Sequence, residues 1–463
     1  MSKSAALVLI TLFASAFCNS PLLAQSQQPI VLKQNGSWCW FQSPRAIVID
    51  RRVVFTSVAG DDHGEWDAGD LVATCYDPES GSIENYLLHA KLNRDDHAVA
   101  GLCLLSDQRL LAVYGKHGRD SLQRWRTTAS PNRIGKWTDE QTIDVGASYT
   151  YSNVYRLPAE NNRIYNFHRG LGYNPNCTLS NDGGASWQRG WRLLEWTRED
   201  LAEDPRYTGM DGSRPYVCYA SNGDDAIHFV ISDDHPRAYD NSIYHGYYQN
   251  GNLFGSDGRK LATPTTDLYK PKKPRDFTEL FNGNADQVAW PCDIQVDLAG
   301  HPYVAFSVQV DGKKTRTERR KGGNDHRYYF GRWDGQRWRV YPMAYAGTRL
   351  YAGEDDYTGL VALDPNDPTT VVISTNADPK TGKPLVSSAD GVRHWELFRG
   401  NTPDGGASWN WTALTRNSNV DQLRPLIPDW PNGPRVILWA RGKLTSYKEY
   451  HLDIVALVEQ RKR

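Results

Sequence analysis

The octapeptide SNDGGASW at residues 180–187 returns almost unchanged as TPDGGASW at residues 402–409, and SADGVRHW at 388–395 keeps its outline. A motif with fixed Asp, Gly and Trp spacing, repeated within one chain, marks an architecture of similar units that bury their apolar faces against neighbours. Asp and Gly are turn residues. An aspartate side chain accepts nearby backbone N–H groups, and glycine takes positive φ at no steric cost. Each copy is therefore predicted to be a β-hairpin turn whose Trp packs between units, with Asp182 and Trp187 structural and not catalytic. A related turn stands at Trp333, Asp334 and Gly335.

Between the turns, short runs alternate apolar and polar residues: RAIVIDRRVVFTSVAG, GLCLLSDQRLLAVYGKHG, DAIHFVISDD, HPYVAFSVQV and TTVVISTNAD. Period-two alternation punctuated by Asp, Gly, Asn and Pro reads as antiparallel strands, and helical periodicity is nearly absent. The expectation is an all-β chain, one domain over residues 30–463 with no linker to divide it. Residues 263–280, TPTTDLYKPKKPRDFTEL, read as a long inserted loop.

The N-terminus, MSKSAALVLITLFASAFCNSPLLAQSQQ, has one lysine, an apolar run from Ala5 to about Cys18, and small residues near Ala24. Such a stretch over residues 1–24 is expected to be a signal peptide, directing a secreted or periplasmic protein. Its apolar run is shorter than the roughly 18 residues of a membrane span. Bulky Phe17 before Cys18 argues against a lipoprotein. With 53 Lys+Arg against 54 Asp+Glu, the net charge is -1, so no basic surface is offered to nucleic acid or to an anionic membrane. An anionic partner must be met by a local cluster. The 16 Trp and 25 Tyr favour surfaces that stack on sugars. Cys39, Cys75, Cys103, Cys177, Cys218 and Cys292 are scattered without a CxxC pattern and are expected as buried small hydrophobes. A monomer is expected.

The stretches WCWFQSPRAIV, DDHAVAGLCLLSDQRLLAVYGKHG, TYSNVYRL, RPYVCYASNGDDAIHF, NSIYHGYYQNG and YAGEDDYTGLVALDPNDPTTVVIST follow one another in that order. Together with turns that look like the Asp-boxes of sialidase-type propellers, they resemble the BNR-4 family of seven-bladed propellers. The resemblance covers almost all of the chain after the N-terminal segment. That family includes ulvan lyases, which cut next to a uronic acid in a rhamnose-rich sulfated polysaccharide. It is similar in fold to lyases and rhamnosidases acting on rhamnosyl-glucuronate caps. The resemblance thus implies a seven-bladed β-propeller and a polysaccharide lyase acting by β-elimination on an acidic, ulvan-like polysaccharide, with no cofactor required for the chemistry. Fold alone does not fix function. A glycosidase of the rhamnosidase type and a non-catalytic carbohydrate-binding propeller stay open as alternatives.

A lyase must remove the C5 proton of a uronate beside a carboxylate whose charge opposes carbanion formation. It needs a neutraliser for the carboxylate, a base for C5 and an acid for the leaving oxygen. Arginine suits the first, a neutral histidine the second, and tyrosine can serve as acid or base. The ulvan-lyase pattern supplies these types in the order His, His, Tyr, Arg. In this sequence they fall on His97 in DDHAVAG, His117 in YGKHG, Tyr151 in YTYSNV and Arg169 in YNFHRG, with AENN as a small insertion between the last two. His97 is the expected C5 base, His117 an orienting or proton-transferring partner, and Arg169 the neutraliser. Tyr149 rivals Tyr151, since two residues apart on a strand share a face. Family members commonly show Asn where Ala98 stands and an apolar or aromatic residue where His168 stands, which puts the subsite beside His97 in question and makes His168 an additional proton carrier or a structural residue.

Arg214 is the expected site for a sulfate or second carboxylate, with an ion pair to a structural aspartate as the bland alternative, and Asn153 is a candidate partner for sugar hydroxyls. His235 and His245 are candidates for a structural metal, without the Cys-x-His pattern some related lyases carry. For a glycosidase the candidate carboxylates are Glu354 and Asp355, in a loop that reads equally well as merely polar.

Overall fold

The alternating runs pair with their sequence neighbours into seven antiparallel sheets arranged in a ring, the seven-bladed β-propeller that the resemblance implies. This computed structural model describes residues 28–461 apart from 62–63, 208–213, 267 and 319–320. The signal peptide expected over residues 1–24 lies outside the described residues. The blades begin, in order, with the strands Ala46–Ile49, Gly101–Leu104, Thr150–Leu157, Val217–Ser221, Val288–Val296, Val361–Leu363 and Asp421–Leu426. The first strands of the first to third blades, and likewise those of the fourth to seventh, touch their neighbours in succession. Closure comes from the N-terminal strand Ile30–Lys33, which pairs antiparallel with Glu449–Glu459 and completes the seventh blade.

A blade packed on both faces buries its second strand throughout, because neither face meets water. Leu110–Tyr114, Ala226–Ser232, Pro302–Gln309 and Thr370–Thr375 are accordingly buried at every position. The outer strand Gln141–Asp144 is largely exposed. The six cysteines among the described residues are buried and unpaired, as expected of small hydrophobes. The insertion at 263–280 is less irregular than the sequence implies: its end joins Thr278–Phe281, which pairs with Ile243–Gln249. No helix among the described residues is long and apolar enough to cross a membrane.

The two full Asp-boxes occupy the same place in their blades, the hairpin between third and fourth strands. Asp182 accepts from Ser180 Oγ, Ser186 N and Ser186 Oγ at 2.8, 2.9 and 2.6 Å. Asp404 repeats this with Thr402 Oγ1, Ser408 N and Ser408 Oγ at 3.0, 2.8 and 2.6 Å. Trp187 meets Trp125 of the second blade edge-on at 6.2 Å, and Trp409 meets Phe330 of the fifth at 5.3 Å. The WDG turn at Trp333 sits at the equivalent hairpin of the fifth blade, whereas SADGVRHW lies one connection earlier, before Glu396–Asn401. That degraded copy keeps the turn without its place in the repeat.

Glycine is required at 406 for two reasons. Its φ is +106°, and a Cβ there would stand 2.5 Å from Phe330 Cδ1 of the adjoining blade. Gly406→Ala is expected to destabilise the fold by about 1–3 kcal/mol, read as a lower denaturation midpoint, with turnover unchanged at low temperature. An unaltered midpoint would mean that the fifth and sixth blades do not approach this closely.

Candidate active site

RDDHAVAG connects the first blade to the second, and its aspartate starts a single turn of 3-10 helix over Asp96–Ala98. Asp95 Oδ1 accepts His97 N at 3.1 Å, and Asp96 N donates to Tyr447 O at 2.9 Å. Ala98, Val99 and Ala100 are almost wholly buried beneath the turn. Ala98 therefore faces the core, and the family's Asn at this position has no counterpart in a subsite here. YGKHG connects the second and third strands of the second blade, with His117 N donating to Asn93 Oδ1 at 3.0 Å.

Both histidines converge on one carboxylate. Asp95 Oδ1 lies 2.8 Å from His97 Nδ1, and Asp95 Oδ2 lies 2.9 Å from His117 Nδ1. The imidazoles stack with centroids 4.3 Å apart and planes 10° from parallel. Tyr151 completes the group at 5.7 Å from the His97 ring and 6.2 Å from the His117 ring. Arg169 lies 4.8 Å from the Tyr151 ring centroid and donates Nη2 to His117 Nε2 at 3.2 Å. The four residues singled out for catalysis thus share one cluster.

A backbone irregularity decides which tyrosine joins it. The pairing of Thr150–Leu157 with Arg163–Arg169 shifts between Thr150 and Asn153, and Tyr151 has φ +63°. This is a left-handed conformation that a bulky residue rarely adopts. Because the bulge breaks the alternation, Tyr149 and Tyr151 do not share a face as the sequence spacing implies. Tyr149 is buried, its hydroxyl bonded to Ser152 Oγ and Asn166 Nδ2 at 2.7 and 2.9 Å, and it stacks on His168. AENN falls at the far end of this hairpin, where Leu157 pairs with Arg163, so it leaves the Tyr151 end undisturbed.

Charge is divided unequally over the cluster. Burial opposes ionisation of Asp95, but His97 and His117 outweigh it and hold the carboxyl well below its usual range. Burial opposes a charge on His97, but the carboxylates of Asp96 and Asp95, each 2.8 Å from Nδ1, act the other way, and this imidazole favours its protonated form. His117 is pushed down to about 4, by burial first and by the His97 charge next, and stays neutral. Burial raises the Tyr151 hydroxyl well above its usual value against the pull of Arg169, so it keeps its proton at neutral pH. Behind His97, Asp96 forms a buried pair with Arg424 of the seventh blade, Oδ2 to Nη1 at 2.5 Å.

Beside the cluster opens a small cleft whose lining includes Phe41, Tyr151, Asn153, His168, Arg169 and Tyr216. Asn153 donates Nδ2 to Phe41 O and Phe167 O, while its Oδ1 has no hydrogen-bond partner. Arg214 precedes the cleft-lining Pro215, and its backbone N–H donates to Asp234 Oδ1 at 2.8 Å. His235 and His245 do not meet. His245 contacts His228 and Ser256, whereas His235 approaches Asp356. Asp355 is engaged by Arg349 and Gly322 N, and Glu354 by Arg237. Sequence reasoning did not find Arg424, Tyr216, or Tyr447, whose ring meets His97 edge-on at 5.0 Å.

A model of the BNR repeat-containing family, BNR_4, matches residues 39–346. No curated protein matches the chain. Among solved structures, a PL25 polysaccharide lyase, an ulvan lyase bound to -[GlcA(1-4)Rha3S]-, is similar with a TM-score of 0.66 at 15% identity, covering 94% of this chain and 96% of that one. The GH93 α-L-arabinofuranosidase of Fusarium graminearum gives 0.42 at 9% identity, over 78% and 92%. The NanB sialidase of Streptococcus pneumoniae gives 0.41 at 12% identity, over 94% and 71%. At 15% identity the likeness to the ulvan lyase is one of fold.

Proposed function

The chain belongs to the BNR repeat-containing family, and from that premise we propose that it is a polysaccharide lyase cleaving beside a uronate by β-elimination. The observation that carries this is the environment of His117. With Nδ1 directed at the Asp95 carboxylate, it donates there and leaves a lone pair on Nε2, 3.2 Å from Arg169 Nη2. A base thus stands next to a fixed cation, which is what abstraction of a proton α to a carboxylate requires.

The Arg169 fork takes the uronate carboxylate and stabilises charge developing there. His117 Nε2 accepts the C5 proton. The electrons of the C5–H bond form the C4–C5 double bond, the C4–O4 bond breaks, and the Tyr151 hydroxyl protonates O4. Arg169, over the Tyr151 ring, stabilises the phenolate until it is reprotonated. We assign the base to His117 and not to His97, because His97 lies between Asp95 and Asp96, 2.8 Å from each, and is favoured as a cation. His97 acts as a positioning residue that fixes Asp95 and keeps its stacked neighbour neutral. The lyase is favoured over a glycosidase because Glu354 and Asp355 each hold an arginine. The substrate class is an acidic polysaccharide, and the arginine-lined cleft, with Arg214 beside it and the Asn153 acceptor, suits a uronate flanked by a further anionic or hydroxyl-rich sugar.

The polymer carried by the ulvan-lyase neighbour, -[GlcA(1-4)Rha3S]-, is the first to try. Wild-type protein is expected to release chain ends with a conjugated double bond, followed by ultraviolet absorbance. Only neutral His117 is active, and its folded value is lowered to about 4, so kcat/KM is expected to rise with pH near 4 and to stay level through neutrality. A rising limb above about 6.5 would return the base to His97. Absence of unsaturated ends from every uronate polymer tried, across that pH range, would overturn the lyase.

A further inference from the structure

Beyond Tyr216 from the histidine stack, three side chains converge without bonding to one another. His235 follows Ala226–Ser232 of the fourth blade, while Glu354 and Asp356 lie in the connection from Trp338–Gly347 to Val361–Leu363. His235 stands against Tyr216 and Trp290, with ring centroids 5.6 and 5.1 Å away. One ligand-capable atom from each of His235, Glu354 and Asp356 lies within 4.8 Å of the others.

The cluster differs from an ordinary polar loop in what it leaves unsatisfied. Asp356 is 3% exposed, and neither of its carboxylate oxygens accepts a hydrogen bond. A buried carboxylate in that condition needs a cation or a proton. A proton would still lack an acceptor, because no partner lies within bonding reach of either oxygen. His235 cannot supply one either. The backbone N–H of Arg237 makes a long 3.3 Å contact to His235 Nδ1, so this nitrogen carries the ring's lone pair, and a metal ion would take that lone pair in place of the Arg237 contact; Nδ1 faces Asp356 Oδ2 at 3.5 Å.

That separation is too long for a hydrogen bond, but it is the edge of a coordination tetrahedron. Two ligands each about 2.1 Å from a zinc ion stand about 3.4 Å apart. Glu354 Oε2 accepts from Arg237 Nη1 at 2.7 Å, a contact that orients the carboxylate in the way outer partners orient metal ligands. We propose that His235, Glu354 and Asp356 bind one divalent transition-metal ion of the zinc or manganese class. An imidazole nitrogen with two carboxylates favours these ions over calcium or magnesium, which prefer all-oxygen surroundings. Three protein ligands leave at least one position for water or an anionic ligand. The cluster meets the cleft through Tyr216, which stands between His235 and the Arg169 side, and none of its three residues has a part in the elimination steps above.

The test uses the full chain without polysaccharide, so its outcome is independent of the lyase assay. After treatment with a chelator, wild-type protein is titrated calorimetrically with zinc chloride and, separately, manganese chloride. One equivalent of zinc or manganese per chain is expected, with a rise in Tm on binding. Asp356→Asn and His235→Ala are each expected to weaken binding at least tenfold while the metal-free Tm stays near that of metal-free wild type. Should Asp356→Asn fold poorly, Glu354→Gln gives the same reading at a less buried position. Failure of the wild type to take up either ion, or wild-type affinity in both variants, overturns the site.

Discussion

Tyr151→Phe is expected to lower kcat on a uronate polymer by about 10²- to 10⁴-fold, the range over which a positioned proton donor acts. The substitution is narrow. Phenylalanine keeps the ring that lies under Arg169 at 4.8 Å and beside Phe41 at 5.7 Å, and it carries the same φ of +63°. Folding should therefore be untouched and KM little changed, because the hydroxyl is needed when O4 departs and not when the sugar docks. Tyr149→Phe is the matching control. Its hydroxyl bonds Ser152 and Asn166 inside the blade, so its loss should cost about 1 kcal/mol of stability and leave kcat alone. Turnover within threefold of wild type in Tyr151→Phe would remove this residue from the chemistry.

The contrast between these two tyrosines shows where the sequence stops being readable. Turn chemistry is local: the side chains of Ser180, Asp182 and Ser186 bond within SNDGGASW itself, so the hairpin could be assigned from eight residues. The family pattern likewise brought His97, His117, Tyr151 and Arg169 together. Period-two reasoning then put both tyrosines on one face, because a bulge between Thr150 and Asn153 leaves no mark that propensity can detect. Long-range partners were invisible for a different reason. Arg424 reaches Asp96 across 328 positions, and Glu354 meets Arg237 across 117, distances at which only ring closure creates contact. His235 was noticed as a metal candidate, but paired with His245, whose ring turns instead toward His228 and Ser256.

Arg424→Met is expected to destabilise the protein by about 3–5 kcal/mol, the cost of leaving one member of a buried ion pair alone. Arg424 is 1% exposed and donates Nη1 to Asp96 Oδ2 and to Trp38 O at 2.5 and 2.6 Å. Methionine fills much of the same volume and keeps the residue's φ of +54°, so neither a large cavity nor a new backbone strain accounts for the loss. What remains is the charge of Asp96 without its cation. Urea denaturation should therefore give a lower midpoint at an unchanged slope. Part of the Asp96 charge is met by His97, whose Nδ1 lies 2.8 Å from Asp96 Oδ1 and whose folded value is raised above the unfolded one. A raised value contributes stability that is fully present below about pH 6.5 and is lost as pH rises through the folded value. The deficit of Arg424→Met should accordingly deepen at high pH, where His97 releases its proton and Asp96 has no positive partner. Adding Asp96→Asn removes the stranded charge and should recover most of the loss, since taking out both partners of a buried pair costs far less than taking out one. If the double variant is as unstable as Arg424→Met alone, the arginine serves Trp38 and the packing around it, and Asp96 holds its charge beside His97 by other means.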